Sequence, residues 1–175
     1  MGVALADGNG AQAPALALAL AALGYPTALF MDSDVPLAPP TIASLAAAGV
    51  AVFEYGSMLN TEQAIFTAAN DQRVQDLLSI ARQNHGEESV NGAIFPRTSM
   101  TLATVRDEFW TWELNSNLNA AQLRAAIADV AKNKKWFKEL RYGREIGPTV
   151  WRIMGENNNA PLTQVLLRLE DWAYA

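Results

Sequence analysis

Two acidic residues separated by a single residue follow an apolar run early in the chain. Asp32 and Asp34 come directly after residues 27–31, which have the composition of a buried strand. Two such carboxylates can converge as the chain turns, and they can then hold one divalent ion or two ions about 4 Å apart. The sequence Asp-Ser-Asp is also typical of a turn that caps the next helix. We interpret the pair as a metal site, with the turn as the alternative.

Two further carboxylates, Asp7 and Glu62, are candidate ligands of the same site. Asp7 follows a short apolar run and precedes a turn at residues 8–10, whose N–H groups could also accept a phosphate. Glu62 opens a predicted helix, where a first-turn glutamate is equally typical because the helix dipole favours it. The chain has no cysteine and a single histidine, His85, so a metal must be held by oxygen ligands. Such ligands favour Mg²⁺ or Mn²⁺.

A basic segment lies in the second half of the chain. Six of the thirteen Lys and Arg residues fall between residues 132 and 144, together with Trp136 and Phe137. Basic residues interleaved with aromatics can contact phosphates and stack on bases. The alternative is a solvated helix face with both rings packed inward. The candidate contacts to nucleic acid are Lys132, Lys134, Arg141 and Arg144, and a lysine near bound metal ions could stabilise a phosphorane-like transition state.

Apolar runs that alternate with helix-forming stretches predict the elements that position these residues. The predicted strands are 2–6, 27–31 and 50–55, and the predicted helices between them are 13–23 and 42–48. Continuous apolar strands joined by helices indicate a parallel sheet covered on both faces. Functional groups of such sheets gather at the carboxyl ends of the strands. We therefore predict an α/β core over residues 1–72.

The remaining residues, 73–175, have a helical pattern and predict a helical part that packs on this core. The predicted helices are 74–82, 102–109, 120–132, 135–140, 146–154 and 162–172, with Thr101 and Asn119 as caps.

The apolar stretch 11–30 does not predict a membrane span. Gly24 and Pro26 interrupt it, and much of it is alanine. No basic residue precedes it, so a signal peptide is not predicted either. We expect a cytoplasmic protein without membrane contact. The net charge of −5 does not by itself suggest a general affinity for nucleic acid.

Several segments together carry a resemblance to a known family. These segments are Ala6-Asp7-Gly8-Asn9-Gly10, residues 23–34, residues 61–66, Trp136-Phe137-Lys138 and Gly143-Arg144-Glu145-Ile146-Gly147. The chain resembles the C-terminal Toprim nuclease domain of the OLD (overcoming lysogenisation defect) family. The resemblance implies a Toprim-like, Rossmannoid parallel sheet with a C-terminal helical extension, and cleavage of DNA with two Mg²⁺ or Mn²⁺ ions.

The resemblance also implies roles for individual residues. Asp32 and Asp34 match the D-x-D metal ligands of the family, and Glu62 matches its later acidic ligand. Asp7 lies where the family pattern has its second strand-end turn. The essential lysine of the family falls in the basic segment, where Lys138 is favoured and Lys135 is next.

The chain departs from the family at its beginning. A complete Toprim fold begins with a strand that ends in glutamate followed by glycine, and no glutamate precedes Asp7. The N-terminal ATPase is absent too, because the sequence has no Walker motif. We interpret the chain as a truncated product, a fragment, or a domain whose missing part comes from a partner chain or an ATPase domain. Loss of the glutamate would weaken or abolish catalysis, and an open sheet edge favours a homo-oligomer.

The sequence leaves three functions open. The first is a metal-dependent DNA endonuclease domain, and the second is a non-catalytic DNA-binding or oligomerisation module derived from one. The third is a phosphotransferase or phosphatase with Asp32 as the nucleophile. The third function lacks a later lysine and Asp-Asp pair at a suitable spacing.

Overall fold

A computed structural model describes residues 3–100, 108–138 and 140–175. The described chain is mixed α/β and mostly helical, with one small parallel sheet. It divides into two compact units, the first made of Met1–Asn60 with Thr163–Ala175 and the second of Thr61–Leu162. The prediction of a mixed α/β fold with a parallel sheet is therefore confirmed.

Both described strands lie in the first unit, and the three longest helices, α4, α7 and α8, lie in the second. The strands are β1 (Ala28–Met31) and β2 (Ala51–Glu54). The helices are α1 (Ala13–Ala22), α2 (Pro39–Ala47), α3 (Thr61–Ala68), α4 (Asp71–His85), α5 (Glu87–Thr98), α6 (Trp112–Asn115), α7 (Ala120–Lys134), α8 (Leu140–Glu156) and α9 (Pro161–Tyr174).

The first unit is built around the parallel pair of strands. Ala28 lies opposite Ala51, and Met31 lies opposite Glu54. Helices α1 and α2 cover one face of this pair, in a cluster centred on the buried side chains of Ala17, Leu29, Leu45 and Val50. Phe53 belongs to the opposite face by the strand period of two, and it contacts Trp172 of α9 edge to face at 6.4 Å between ring centroids.

The strand predicted at residues 2–6 is not formed by the described part of that segment. Residues 3–9 have no regular secondary structure, and Leu5 is 97% exposed. A short apolar run becomes a strand only when a neighbouring strand pairs with its backbone and its side chains are buried. The run 2–6 has the composition of a strand, but its described residues are exposed. The prediction of a strand there was therefore wrong.

The second unit is a bundle of helices around a continuous apolar core. The side chains of α3, α4, α5, α7 and α8 supply most of this core, including Phe66, Leu77, Ile94 and Leu123, and Trp136 is added from the turn after α7. The predicted cap at Asn119 is confirmed. Its side chain accepts a hydrogen bond from the Gln122 N–H, and Gln122 accepts one from the Asn119 N–H.

Two helix predictions of the second unit need correction. Of the predicted helix 135–140, residues 135–138 are not helical, because Lys135 adopts a left-handed conformation with a φ of 57° and ends α7. Helix α5 was not predicted, because Gly92 and Pro96 are residues that usually interrupt a helix. The predicted helix 102–109 and its cap Thr101 fall largely outside the described residues.

An ion-pair group links α4 to α8 within the second unit. Arg73 donates hydrogen bonds to both carboxylate oxygens of Glu156, at 2.9 to 3.1 Å, and forms an ion pair with Asp76. The hydrogen bond with Glu156, followed by that with Asp76, raises the pKa of the Arg73 guanidinium above its ordinary value. In the part of the chain that the structure describes, none of the helices has the length and apolarity needed to cross a membrane.

Candidate functional site

Acidic residues cluster where the two strands of the first unit end. Met31 and Glu54 are the paired last residues of β1 and β2, so both strands end at the same level. Asp32 and Asp34 follow Met31 directly, at the carboxyl edge of the sheet. Both aspartates are half-buried, whereas Glu54 is exposed.

Ser33 fixes the turn that carries the two aspartates. Its hydroxyl donates to the Gly56 carbonyl at 2.9 Å and accepts from the Leu59 N–H at 3.0 Å. The Ser33 N–H in turn donates to the Leu59 carbonyl at 2.9 Å. Ser33 is only 8% exposed, so these bonds are shielded from water. The backbone on either side of Ser33, and with it the start of both aspartate side chains, is held in place.

The loop after β2 that receives these bonds is itself conformationally strained. Gly56, Ser57 and Met58 all have positive φ, at 71°, 53° and 57°. Glycine adopts this conformation freely, but Ser57 and Met58 do so at a cost. Strain of this kind persists where the surrounding contacts enforce it, and it concentrates at functional sites. It lies here beside the Asp32-Ser33-Asp34 turn.

Asp7 has a local role in the loop before α1. Its side-chain oxygen accepts a hydrogen bond from the Asn9 N–H at 2.9 Å, and Asn9 has a φ of 50°. An aspartate that accepts from the residue two positions later stabilises a turn. Asp7 is fully accessible, so this turn leaves its other oxygen available. Its assignment as a metal ligand stays a prediction.

Glu62 belongs to the second unit, as the second residue of α3. Only 4% of its surface is exposed, which is unusual for a carboxylate. A buried carboxylate needs polar partners, and Glu62 does have polar interactions in the structure. The start of a helix also favours a negative charge. Its role as a metal ligand likewise stays a prediction.

The described residues of neither unit assemble a complete set of metal ligands. Among the described residues, no three Asp, Glu or His side chains gather as they would around an ion. Asp32 and Asp34 are nevertheless suitable oxygen donors for a hard cation. Mg²⁺ commonly binds one or two carboxylates and completes its shell with water and substrate phosphates. The donor set therefore fits Mg²⁺ or Mn²⁺ better than an ion that needs an all-protein cage.

The two aromatic residues of the basic segment are buried to different degrees. Trp136 is 1% exposed, and its carbonyl contacts Nε2 of His85 at 3.0 Å. Phe137 is half-buried and packs on Phe66, with the ring centroids 6.4 Å apart. The interpretation that Trp136 stacks on bases was wrong, because its ring lies in the core of the second unit. For Phe137 the inward packing agrees with the alternative interpretation of this segment.

The charged residues of the basic segment are mostly on the surface. Lys134, Lys135 and Lys138 are exposed, and Lys132 is half-buried. Arg141 is exposed too, but its guanidinium lies 4.7 Å from the centre of the Tyr142 ring. These residues keep the accessibility that a contact with phosphates requires. Which of them contacts nucleic acid, and whether Lys138 or Lys135 is catalytic, stays a prediction.

A recess of about 500 Å³ lies in the second unit, and Asn70, Arg124 and Glu156 are among its lining residues. Its two charged side chains already have partners. Arg124 contacts Asp71 and donates to the Ala69 carbonyl at 3.1 Å, and Glu156 binds Arg73. Charges that neutralise each other leave little to attract a charged ligand. We therefore interpret the recess as a junction between helices.

Comparison with known proteins gives no match. No protein-family model, no curated protein and no solved structure is significantly similar to the chain. The functional inference therefore depends on the residues themselves.

Sequence reasoning missed Ser33. A serine between two acidic residues is a common turn residue, so its type alone gives no hint of burial. The signal that could have identified it is its position one residue past a buried strand, where a small hydroxyl can reach the next strand-end loop. Its partners, at Gly56 and Leu59, lie more than twenty residues away in sequence.

Proposed function

We propose that the chain is a metal-dependent DNA endonuclease domain in which Asp32 and Asp34 bind Mg²⁺ or Mn²⁺. The observation that carries the proposal is the Asp32-Ser33-Asp34 turn, fixed by Ser33 at the carboxyl edge of a parallel sheet. Paired carboxylates on a fixed backbone are preorganised ligands. Bound there, the ions would supply an activated water and stabilisation of the leaving oxygen.

A Toprim-like sheet is part of the same proposal. The order β1, acidic turn, α2, β2 gives a parallel crossover unit with acidic residues at its carboxyl edge. This order agrees with what the resemblance to the OLD family implies for residues 27–54. Each strand pairs with only one other strand in the described chain. We propose that the open edges take up a strand from a further domain, a partner ATPase chain or a second copy.

Contacts with DNA would come from the exposed cations of the second unit. Lys134, Lys135 and Lys138 end in flexible ammonium groups that suit the phosphate backbone. They carry no sequence information, so the proposal is a nuclease that grips the backbone of DNA. Lys138 is the proposed catalytic lysine, with Lys135 as the alternative.

The test is nicking of supercoiled plasmid by the full chain in the presence of Mn²⁺. Asp32→Ala and Asp34→Ala should each reduce the rate by about a hundredfold or more, because a metal supplies several kcal/mol of charge stabilisation. Asp171→Ala is the matched control, since Asp171 is an exposed carboxylate in α9, and this variant should nick as the wild type does. Equal nicking by all four proteins, or by none, excludes the catalytic proposal for this chain.

A non-catalytic DNA-binding or assembly module is the second candidate. The observation that favours it is that no three potential ligands gather within the described part of either unit. This candidate predicts retention of plasmid without nicking, both with Mn²⁺ and with EDTA. A stable oligomer in sedimentation would support the assembly role, whereas a monomer that ignores DNA and metal would exclude both roles.

A further inference from the structure

Helix α8 of the second unit presents one face to the core and another to solvent. Tyr142, Thr149 and Ile153 are buried on the core side. Arg144, Pro148 and Trp151 are exposed, and their spacing of four and then three residues places them on one helix face. The exposed face therefore combines a cation and a large aromatic ring about two turns apart.

Trp151 is the most exposed tryptophan among the described residues. It is 67% exposed, whereas Trp112 and Trp136 are buried in the core. Its ring stacks on no other ring and makes no hydrogen bond in the described chain. A ring that stays exposed contributes little to the stability of the fold, and tryptophan is enriched in surfaces that bind other molecules.

Glycines flank Trp151 on the helix surface. Gly147 lies four residues before it and Gly155 four residues after it, which are the positions whose side chains would cover the ring. A Cβ built on either glycine would contact nothing within 4 Å. Glycine lowers helix stability relative to alanine, and the fold itself has no steric need for it here. The helix surface one turn before and one turn after Trp151 therefore carries no side chain at these two positions.

The positive charges beside Trp151 are not neutralised by the acids of the same helix. The two glutamates of α8, Glu145 and Glu156, face α4 and bind Asn84 and Arg73. Arg144 and Arg152 are exposed and form no ion pair with any described residue. The solvent face of α8 is therefore locally cationic on a protein of net charge −5.

We propose that Trp151, Arg144 and Arg152 form a binding surface for single-stranded nucleic acid. The indole stacks on a base, and the two guanidinium groups bind the phosphates on either side of it. This inference deepens the proposed function, because it rests on nucleic acid as the ligand and specifies an unpaired strand. Trp136 cannot supply the stacking ring, since it is buried, and Phe137 is half-buried against Phe66.

The chemistry of the surface favours an unpaired strand over a duplex or a membrane. Bases within a duplex are already stacked on both faces, so an indole on a convex helix cannot reach them. A helix that lies on a membrane presents a wide apolar face with several large side chains. The face around Trp151 instead has arginines, glycines and Pro148.

The experiment measures the affinity of the full chain for a labelled oligo(dT) in EDTA, by fluorescence anisotropy. Trp151→Ala should weaken binding about tenfold, the typical effect of one lost base–aromatic stack. Trp151→Phe should restore most of the affinity. The double variant with Arg144→Ala and Arg152→Ala should bind more weakly. The slope of its log affinity against log salt concentration should be smaller by the amount expected for the loss of about two phosphate contacts.

Trp110→Ala is the matched control, because Trp110 is also exposed, at 57%, but its indole N–H is bound by Glu108. It should bind as the wild type does. An oligonucleotide without bases should bind the wild type and Trp151→Ala equally. Circular dichroism should show the same helix content in all variants, and Trp151→Leu replaces Trp151→Ala if that variant unfolds.

Three outcomes would overturn the inference: equal oligo(dT) affinity of the wild type and the Trp151 variants, an equal loss in Trp110→Ala, or tighter binding to anionic vesicles than to oligo(dT). Because EDTA removes divalent ions, the result is independent of cleavage. If the wild type does not nick plasmid but binds oligo(dT) through Trp151, the nuclease proposal is refuted and the binding surface is supported. If nicking depends on Asp32 but binding of oligo(dT) does not depend on Trp151, the nuclease proposal is supported and the binding surface is refuted.

Discussion

Ser33 shows how a single small side chain can define a candidate site. Two of its hydrogen bonds join the end of β1 to the loop after β2, and its hydroxyl is buried between them. The aspartates on either side are the proposed ligands, but their positions depend on the residue between them. The Leu59 N–H also donates to the Gly56 carbonyl at 3.2 Å, so the hydroxyl strengthens a contact that the backbone also makes.

We expect Ser33→Ala to lower the free energy of unfolding by about 1 kcal/mol, because the two bonds of the hydroxyl are lost while the Leu59 N–H still donates to the Gly56 carbonyl at 3.2 Å. Urea unfolding followed by circular dichroism measures this change. The control is Ser89→Ala, at an exposed position of α5. If both variants unfold at the same urea concentration, Ser33 does not stabilise the turn.

At the scale of elements, the end of α7 explains one difference between prediction and structure. Lys135 ends α7 in a left-handed conformation, although its neighbours in sequence favour a helix. A residue such as lysine adopts positive φ only when tertiary contacts repay the cost. The burial of Trp136, the next residue, is one such contact. Local propensity could not reveal it.

The capping box of α7 provides a test of one helix start. Asn119→Ala should lower the free energy of unfolding by about 1 kcal/mol, because the Gln122 N–H loses its side-chain acceptor. Thermal and urea unfolding measure the change. Asn117→Ala removes an exposed amide two residues earlier and should have little effect. A similar loss in both variants would mean that the cap contributes nothing specific.

At the scale of the whole molecule, the last residues of the chain belong to the first unit. Residues 163–175 belong with residues 1–60, although the second unit separates them in sequence. Phe53 of β2 is covered by Trp172, and the guanidinium of Arg168 lies 5.6 Å from its ring centre. The sheet of the first unit therefore depends on residues that follow it by more than a hundred positions.

Trp172→Ala should destabilise the protein by about 2–3 kcal/mol, somewhat less than for a fully buried tryptophan, because the ring is only half-buried. Chemical unfolding measures the loss. Tyr174→Ala removes an aromatic ring that is 79% exposed and should have almost no effect. Equal stabilities of the two variants would show that α9 does not support the sheet.

The sequence by itself determined the local features. It determined the parallel α/β character of residues 27–54, the acidic turn at the end of β1 and the positions of most long helices, although α4 and α8 extend beyond the predicted 74–82 and 146–154 at both ends. Each follows from a pattern within about twenty residues, where strand composition, turn chemistry and helix period act locally. The cap at Asn119 is a further example, because its hydrogen bonds reach only three residues.

The tertiary structure alone decided which patterns were used. It left residues 3–6 without strand structure, buried Trp136 instead of exposing it, and exposed Trp151. It also brought Leu59 to Ser33 and Trp172 to Phe53. The physical reason is that burial is a property of pairs of elements. A side chain loses its water only when a distant segment covers it, and no local pattern specifies that segment.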